Sequence, residues 1–157
     1  MSETQSSKQE GEAAKPEMAQ LELRKGRDAE LCVGGLRFVA CRRDVGEFDG
    51  GISLNVWGPV DGADHELLRF DFFRTRPHYH SPAENQSETL IEPKDGADAA
   101  AWGIETLTRR APELVSTAGF ATLAKTLVSS EIEAAGEAFQ SLFDGLAEPT
   151  EISYFEV

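Results

Sequence analysis

From Ala29 to Cys41 apolar and polar positions alternate. Leu36, Phe38 and Ala40 fall on one side of an extended segment, and Arg37, Val39 and Cys41 on the other, which is the period-two signature of a strand. Gly34-Gly35 supplies a turn or bulge before it. After the turn-like stretch from Glu47 to Gly51, a second strand is predicted over Ile52 to Trp57. Ile52, Leu54 and Val56 share one face, and Ser53, Asn55 and Trp57 the other. Gly58-Pro59 ends it and Asp61-Gly62 carries hairpin chemistry. A third strand then runs from Glu66 to Phe73, with Leu68, Phe70 and Phe72 opposite Leu67, Arg69, Asp71 and Phe73. Three successive strands with one greasy face each describe a meander.

The period lengthens in the second half. Asp98 caps a helix expected over Ala99 to Arg110, and Pro112 opens a short second helix that Gly119 closes. Phe120, Leu123, Ala124, Leu127 and Val128 fit a third helical segment. Ser130 with Glu133 reads as a capping box for a fourth, with the stripe Ile132, Ala135, Phe139, Leu142 and Phe143, and Gly145 ends it. Ile152 to Phe155 adds a late strand.

Strands first and helices afterwards give the α+β class. The expected architecture is an antiparallel meander of three to four strands packed on one face by three or four C-terminal helices. Leu36, Phe38, Leu54, Val56, Phe70 and Phe72 form the covered face, and Arg37, Asn55, Trp57, Arg69 and Asp71 lie on the other. Residues 1–22 are polar and acidic with no apolar run, so they read as a disordered tail. Residues 23–157 then form a single globular domain, the size that one core supports.

Charge narrows the partners. A net charge of −13 repels nucleic acid and anionic membrane surfaces, so neither is expected. No apolar run approaches the roughly 20 residues of a membrane span, and Met1 to Gln20 hold no signal-peptide core. A cytoplasmic location follows as the expectation, with Cys32 and Cys41 as reduced thiols. The acids gather late, where Lys125 is the one base after Ala111, so a locally basic site for an anion remains open in the first two thirds.

Chemistry concentrates in Arg74 to Pro82. His78 and His80 are spaced i, i+2, and Pro77 and Pro82 favour extended backbone, so both imidazoles project to one side. Two neutral imidazoles begin a zinc, iron, copper or nickel site. Glu84 is the candidate third ligand, completing His-x-His-x-x-x-Glu, with Asp71 and His65 as alternatives from the third strand. A histidine also moves protons without a metal. Arg69 and Asp71 alternate on one strand face, and with Arg37, Asn55 and Arg76 they could clamp a carboxylate or phosphate. Trp57 and Tyr79 would line or stack on such a ligand.

The string His78-x-His80-x-x-x-Glu84 resembles the first half of the cupin metal motif. It departs from that family in lacking flanking glycines and a later histidine. A second resemblance rests on Leu68 to Phe73, Pro77 to His80 and Gly58 to Gly62. These strings are similar to a family of small bacterial proteins carrying a domain of unknown function, over roughly residues 30 to 145. That resemblance implies a shared fold and no particular activity.

Three functions compete. The first is a domain binding a small polar or anionic ligand on the exposed sheet face near His78, Tyr79 and His80. The second is a metal-dependent enzyme using His78 and His80 as ligands to a divalent transition metal. The third is an interaction domain whose acidic helical face docks a basic partner. A sheet edge and a face bearing Trp57 and Phe73 also offer a surface for a homodimer.

Overall fold

A computed structural model describes residues 20–92 and 96–156; most of the expected tail lies outside them. The strands are β1 (Gln20–Lys25), β2 (Ala29–Val33), β3 (Leu36–Val45), β4 (Asp49–Val60), β5 (Ala63–Phe73), β6 (His78–His80), β7 (Thr89–Leu90) and β8 (Glu151–Glu156). The helices are α1 (Gly96–Thr117), α2 (Ala121–Ala124), α3 (Ser129–Glu133) and α4 (Gly136–Asp144). All strands join one antiparallel sheet in the order β7-β6-β5-β4-β3-β1-β8, with β2 pairing beside β1 on the same edge of β3. None of the described helices is long and apolar enough to cross a membrane.

The α+β class and the antiparallel sheet are as expected; the strand count is not. Eight strands replace three to four. β6 and β7 hold three and two residues, too few for a period to register. Both predicted tight turns form. Gly34 and Gly35, and Asp61 and Gly62, all take positive φ, the geometry that suits a two-residue hairpin to the strand twist.

The covered face is the expected one. Leu36, Phe38, Leu54, Val56, Phe70 and Phe72 are all 3% exposed or less. Phe38 meets Phe139 edge-on at 4.8 Å, and Phe72 meets Phe143 at 6.0 Å. Each such phenyl contributes about 1.5–3 kcal/mol by leaving water. Leu67, expected on the far face, is fully buried in this core. The register slips between Val56 and Trp57, so the bulge sets Leu67 and Leu68 together against the helices.

The helices differ from expectation in several places. α1 begins at Gly96, so Asp98 lies in its first turn rather than capping it, and α2 covers only Ala121–Ala124 of the segment expected from Phe120 to Val128. Pro112 does not start a new helix; α1 runs through it to Thr117. Leu107, Ala111 and Val115 form one fully buried stripe across it, and that burial overrides the missing amide. The segment after Val128 splits into α3 and α4. No side chain caps α3, so the Ser130–Glu133 box does not form.

Candidate functional site

Strand register arranges the face away from the helices in rows. Cys41, Ser53, Asp71 and His78 lie side by side across β3, β4, β5 and β6, and Val39, Asn55, Arg69 and His80 form the next row. Alternation in the three-residue β6 therefore brings both imidazoles to Asp71 and sends Tyr79 through to the covered side. The Asp49 carboxylate fixes the preceding turn by accepting from the Thr75 and Arg76 amides, both at 2.8 Å. Asp71, His78 and His80 are 7%, 9% and 6% exposed. A buried carboxylate beside two buried imidazoles needs a compensating charge or a full set of hydrogen bonds.

Ser53 Oγ donates to Asp71 Oδ1 at 2.6 Å. Asp71 Oδ2 lies 3.2 Å from His78 Nε2 and 3.7 Å from Arg69 Nε. His78 Nδ1 stands 2.8 Å from the Arg76 carbonyl, and His80 Nδ1 2.7 Å from the Asn85 carbonyl. A carbonyl oxygen only accepts, so each Nδ1 carries the proton; the His78 Nε2 is turned to Asp71 and Glu88, and the His80 Nε2 is left as that ring's acceptor. The rings meet edge to face at 5.3 Å. One donor atom from each of Asp71, His78 and His80 lies within 4.8 Å of the other two. Imidazoles oriented through Nδ1 by backbone carbonyls, and a carboxylate steadied by a hydroxyl, are the outer-ring contacts that metal ligands need.

The hydrogen bond to Asp71 raises the His78 pKa, outweighing burial, and the Arg76 carbonyl and Glu88 add to it. Burial pushes the Asp71 carboxyl up, yet the hydrogen bonds from His78 and Ser53, with the His78 and Arg69 charges, more than offset it and hold it low. The pair thus favours imidazolium and carboxylate, with a proton where a cation would sit. Glu88 Oε2 approaches His78 Nε2 at 3.5 Å while Oε1 pairs with Arg76 at 2.6 Å.

The remaining sequence candidates scatter. Glu84 is exposed and stands outside the cluster; Asp71 takes the third position. His65 packs on Phe120 at 5.4 Å. Tyr79 stacks on Phe70 at 5.3 Å, within 6.1 Å of Trp102, rather than reaching the polar face. Arg37 pairs with Asp64 and Glu30 and lies over Trp57 at the other end of the sheet. Asn55 bonds Glu66, and Arg76 pairs with Glu88. Of the expected clamp only Arg69 stays beside Asp71. Sequence reasoning missed Ser53, whose hydroxyl facing strand neighbours on the polar side was the available signal, and Glu88, which no pattern marked.

Residues 21–142 match the family described as a domain of unknown function, DUF7700, and at that level the second resemblance holds. No curated protein and no solved structure matches the chain.

Proposed function

The chain belongs to this DUF7700 family, and from that premise we propose that it binds one divalent transition-metal ion through Asp71, His78 and His80. The observation that carries this reading is the pair of Nδ1–carbonyl hydrogen bonds, which leave Nε2 as the ligand nitrogen of each ring, in a cluster whose three side chains each bring a donor atom within 4.8 Å of the others. Two imidazoles and one carboxylate suit zinc or iron(II), and three protein donors leave a position for water or a substrate oxygen. Such an ion acts as a Lewis acid and makes a bound water acidic. Ser53 would hold the carboxylate in place, and Arg69, beside it, would receive an anionic group brought to the ion. Metal-dependent catalysis extends this reading.

Metal analysis of untagged protein after equilibrium dialysis tests it. About one zinc or iron per chain, abolished by His78→Ala with His80→Ala, is the expected result for a three-donor site. Wild-type protein that retains no zinc, iron, copper or nickel would overturn it.

A second reading, a small polar or anionic ligand held by Arg69 on this face, is favoured by the Arg69 Nε, which is buried without a hydrogen-bond partner. Ligand-induced melting shifts that survive Arg69→Ala would remove it.

A further inference from the structure

On the covered side, beyond the edge of the core, β3, β4 and β5 present two more rows. Arg42, Ile52 and Phe72 form one by direct register. Asp44, Gly50 and Arg74 form the next, since Asp44 pairs with Gly50 and the Arg74 amide donates to the Gly50 carbonyl at 2.9 Å. The helices roof these rows incompletely and leave a cleft of about 520 Å³, with Ala101, Ile104 and Phe143 on its helical wall. This volume lies in the range of roughly 300–1,000 Å³ typical of small-molecule sites.

The polar groups in the cleft are unevenly satisfied. Arg42 lines the cleft with its Nε buried and without a hydrogen-bond partner, so its guanidinium charge is not neutralised by the described residues and favours an acceptor at the part that faces the cleft. Among the described residues Arg42 and Arg74 make no ion pair. Gly50 keeps the space between the rows, where a Cβ would come within 2.7 Å of Asp44 Oδ1 and 2.9 Å of Arg74 Nη1. Acids also border the cleft: Asp44, Asp144 (bonded to Gln140 at 2.9 Å) and Glu148. They disfavour a ligand of high negative charge. Arg43 lines the cleft too, but its side chain interacts with Cys41 on the other face.

We infer that this cleft is a second binding site, separate from Asp71, His78 and His80, for a small monocarboxylate with an apolar body. Its carboxylate would pair with Arg42 and Arg74, and its apolar part would lie on Ile52, Phe72 and Ile104. One negative charge matches the guanidinium groups without crowding the acids, and the apolar wall rejects a bare inorganic anion.

The test is calorimetric titration of the full chain with 3-phenylpropionate, with 3-phenylpropanol and inorganic phosphate as comparisons. Saturable binding of the carboxylate, with at least about tenfold weaker binding of both comparisons, is expected from a charge-assisted contact over an apolar wall. Arg74→Gln, at an exposed position, should weaken it about tenfold, and Arg42→Gln at least as much. His78→Ala with His80→Ala should leave it unchanged, which separates this site from the metal reading. Equal affinity for the alcohol, binding that survives both arginine substitutions, or no binding by protein whose melting curve is intact would each overturn the inference.

Discussion

One residue along each strand separates the row Ala40, Leu54, Phe70 and Tyr79 from the row Cys41, Ser53, Asp71 and His78. The first meets the helices through Tyr79, Phe70 and Trp102. The second is almost as well removed from water, with Ser53 at 1% and Cys41 at 3% exposure. Their chemistry differs. The covered row is held by apolar area, which has no direction and tolerates replacements of similar volume. The polar row is held by a directed chain from Ser53 through Asp71 to His78 and the Arg76 carbonyl. Each of its members fixes the orientation of the next. Burial alone therefore does not distinguish a core from a site; the distinction lies in whether buried atoms need partners.

Substitutions that remove one kind of support should separate the two faces. The largest effect is expected from Phe38→Ala, which empties the space against Phe139 and should cost about 3–5 kcal/mol in denaturant unfolding. Metal affinity should survive it wherever the variant stays folded. Asp71→Asn should cost less stability, about 1–3 kcal/mol for mismatched buried partners, yet weaken metal binding by at least ~100-fold by equilibrium dialysis.

The pH profile of the metal-free protein sharpens the contrast. His78, with its raised pKa, contributes stability that is complete below the unfolded histidine value of about 6.5 and is lost as pH rises through its folded value. Asp71, with its lowered pKa, contributes stability present above the unfolded value of about 3.9 and lost as pH falls through its folded value. Melting temperature should thus carry the pair's contribution most fully between about pH 4 and 6.5, and Asp71→Asn should flatten both flanks.

Ser53→Ala should cost about 1 kcal/mol, roughly 3–5 °C in melting temperature, while weakening metal binding by about 10–100-fold through the freed carboxylate. The smallest effect belongs to Glu84→Gln, which should alter neither melting nor metal affinity, because its side chain is exposed and outside the donor cluster.

Much of this contrast was legible in the chain. Alternation in Leu36 to Cys41, Ile52 to Trp57 and Phe70 to Phe73 placed the helix-bearing side correctly, because a period of two survives in long strands. It failed at Leu67, where the bulge resets the period. The spacing of His78 and His80 predicted two rings on one side, and β6 delivers that. The third donor could not be chosen, since Glu84 is near in sequence whereas Asp71 is near only through strand pairing. The rim expected of the whole His-Tyr-His segment fails at Tyr79, because alternation sends its ring to the other face, onto Phe70. Pro112 misled through local propensity, which the buried stripe of α1 outweighs.

Cobalt(II) titration of stripped, untagged protein, followed by visible absorption, is the most direct measurement. One equivalent should produce ligand-field bands of a nitrogen–oxygen donor set, and these should vanish in Asp71→Asn and in His78→Ala with His80→Ala. A spectrum identical to aqueous cobalt, or bands that persist in both variants, would contradict a metal centre on this face.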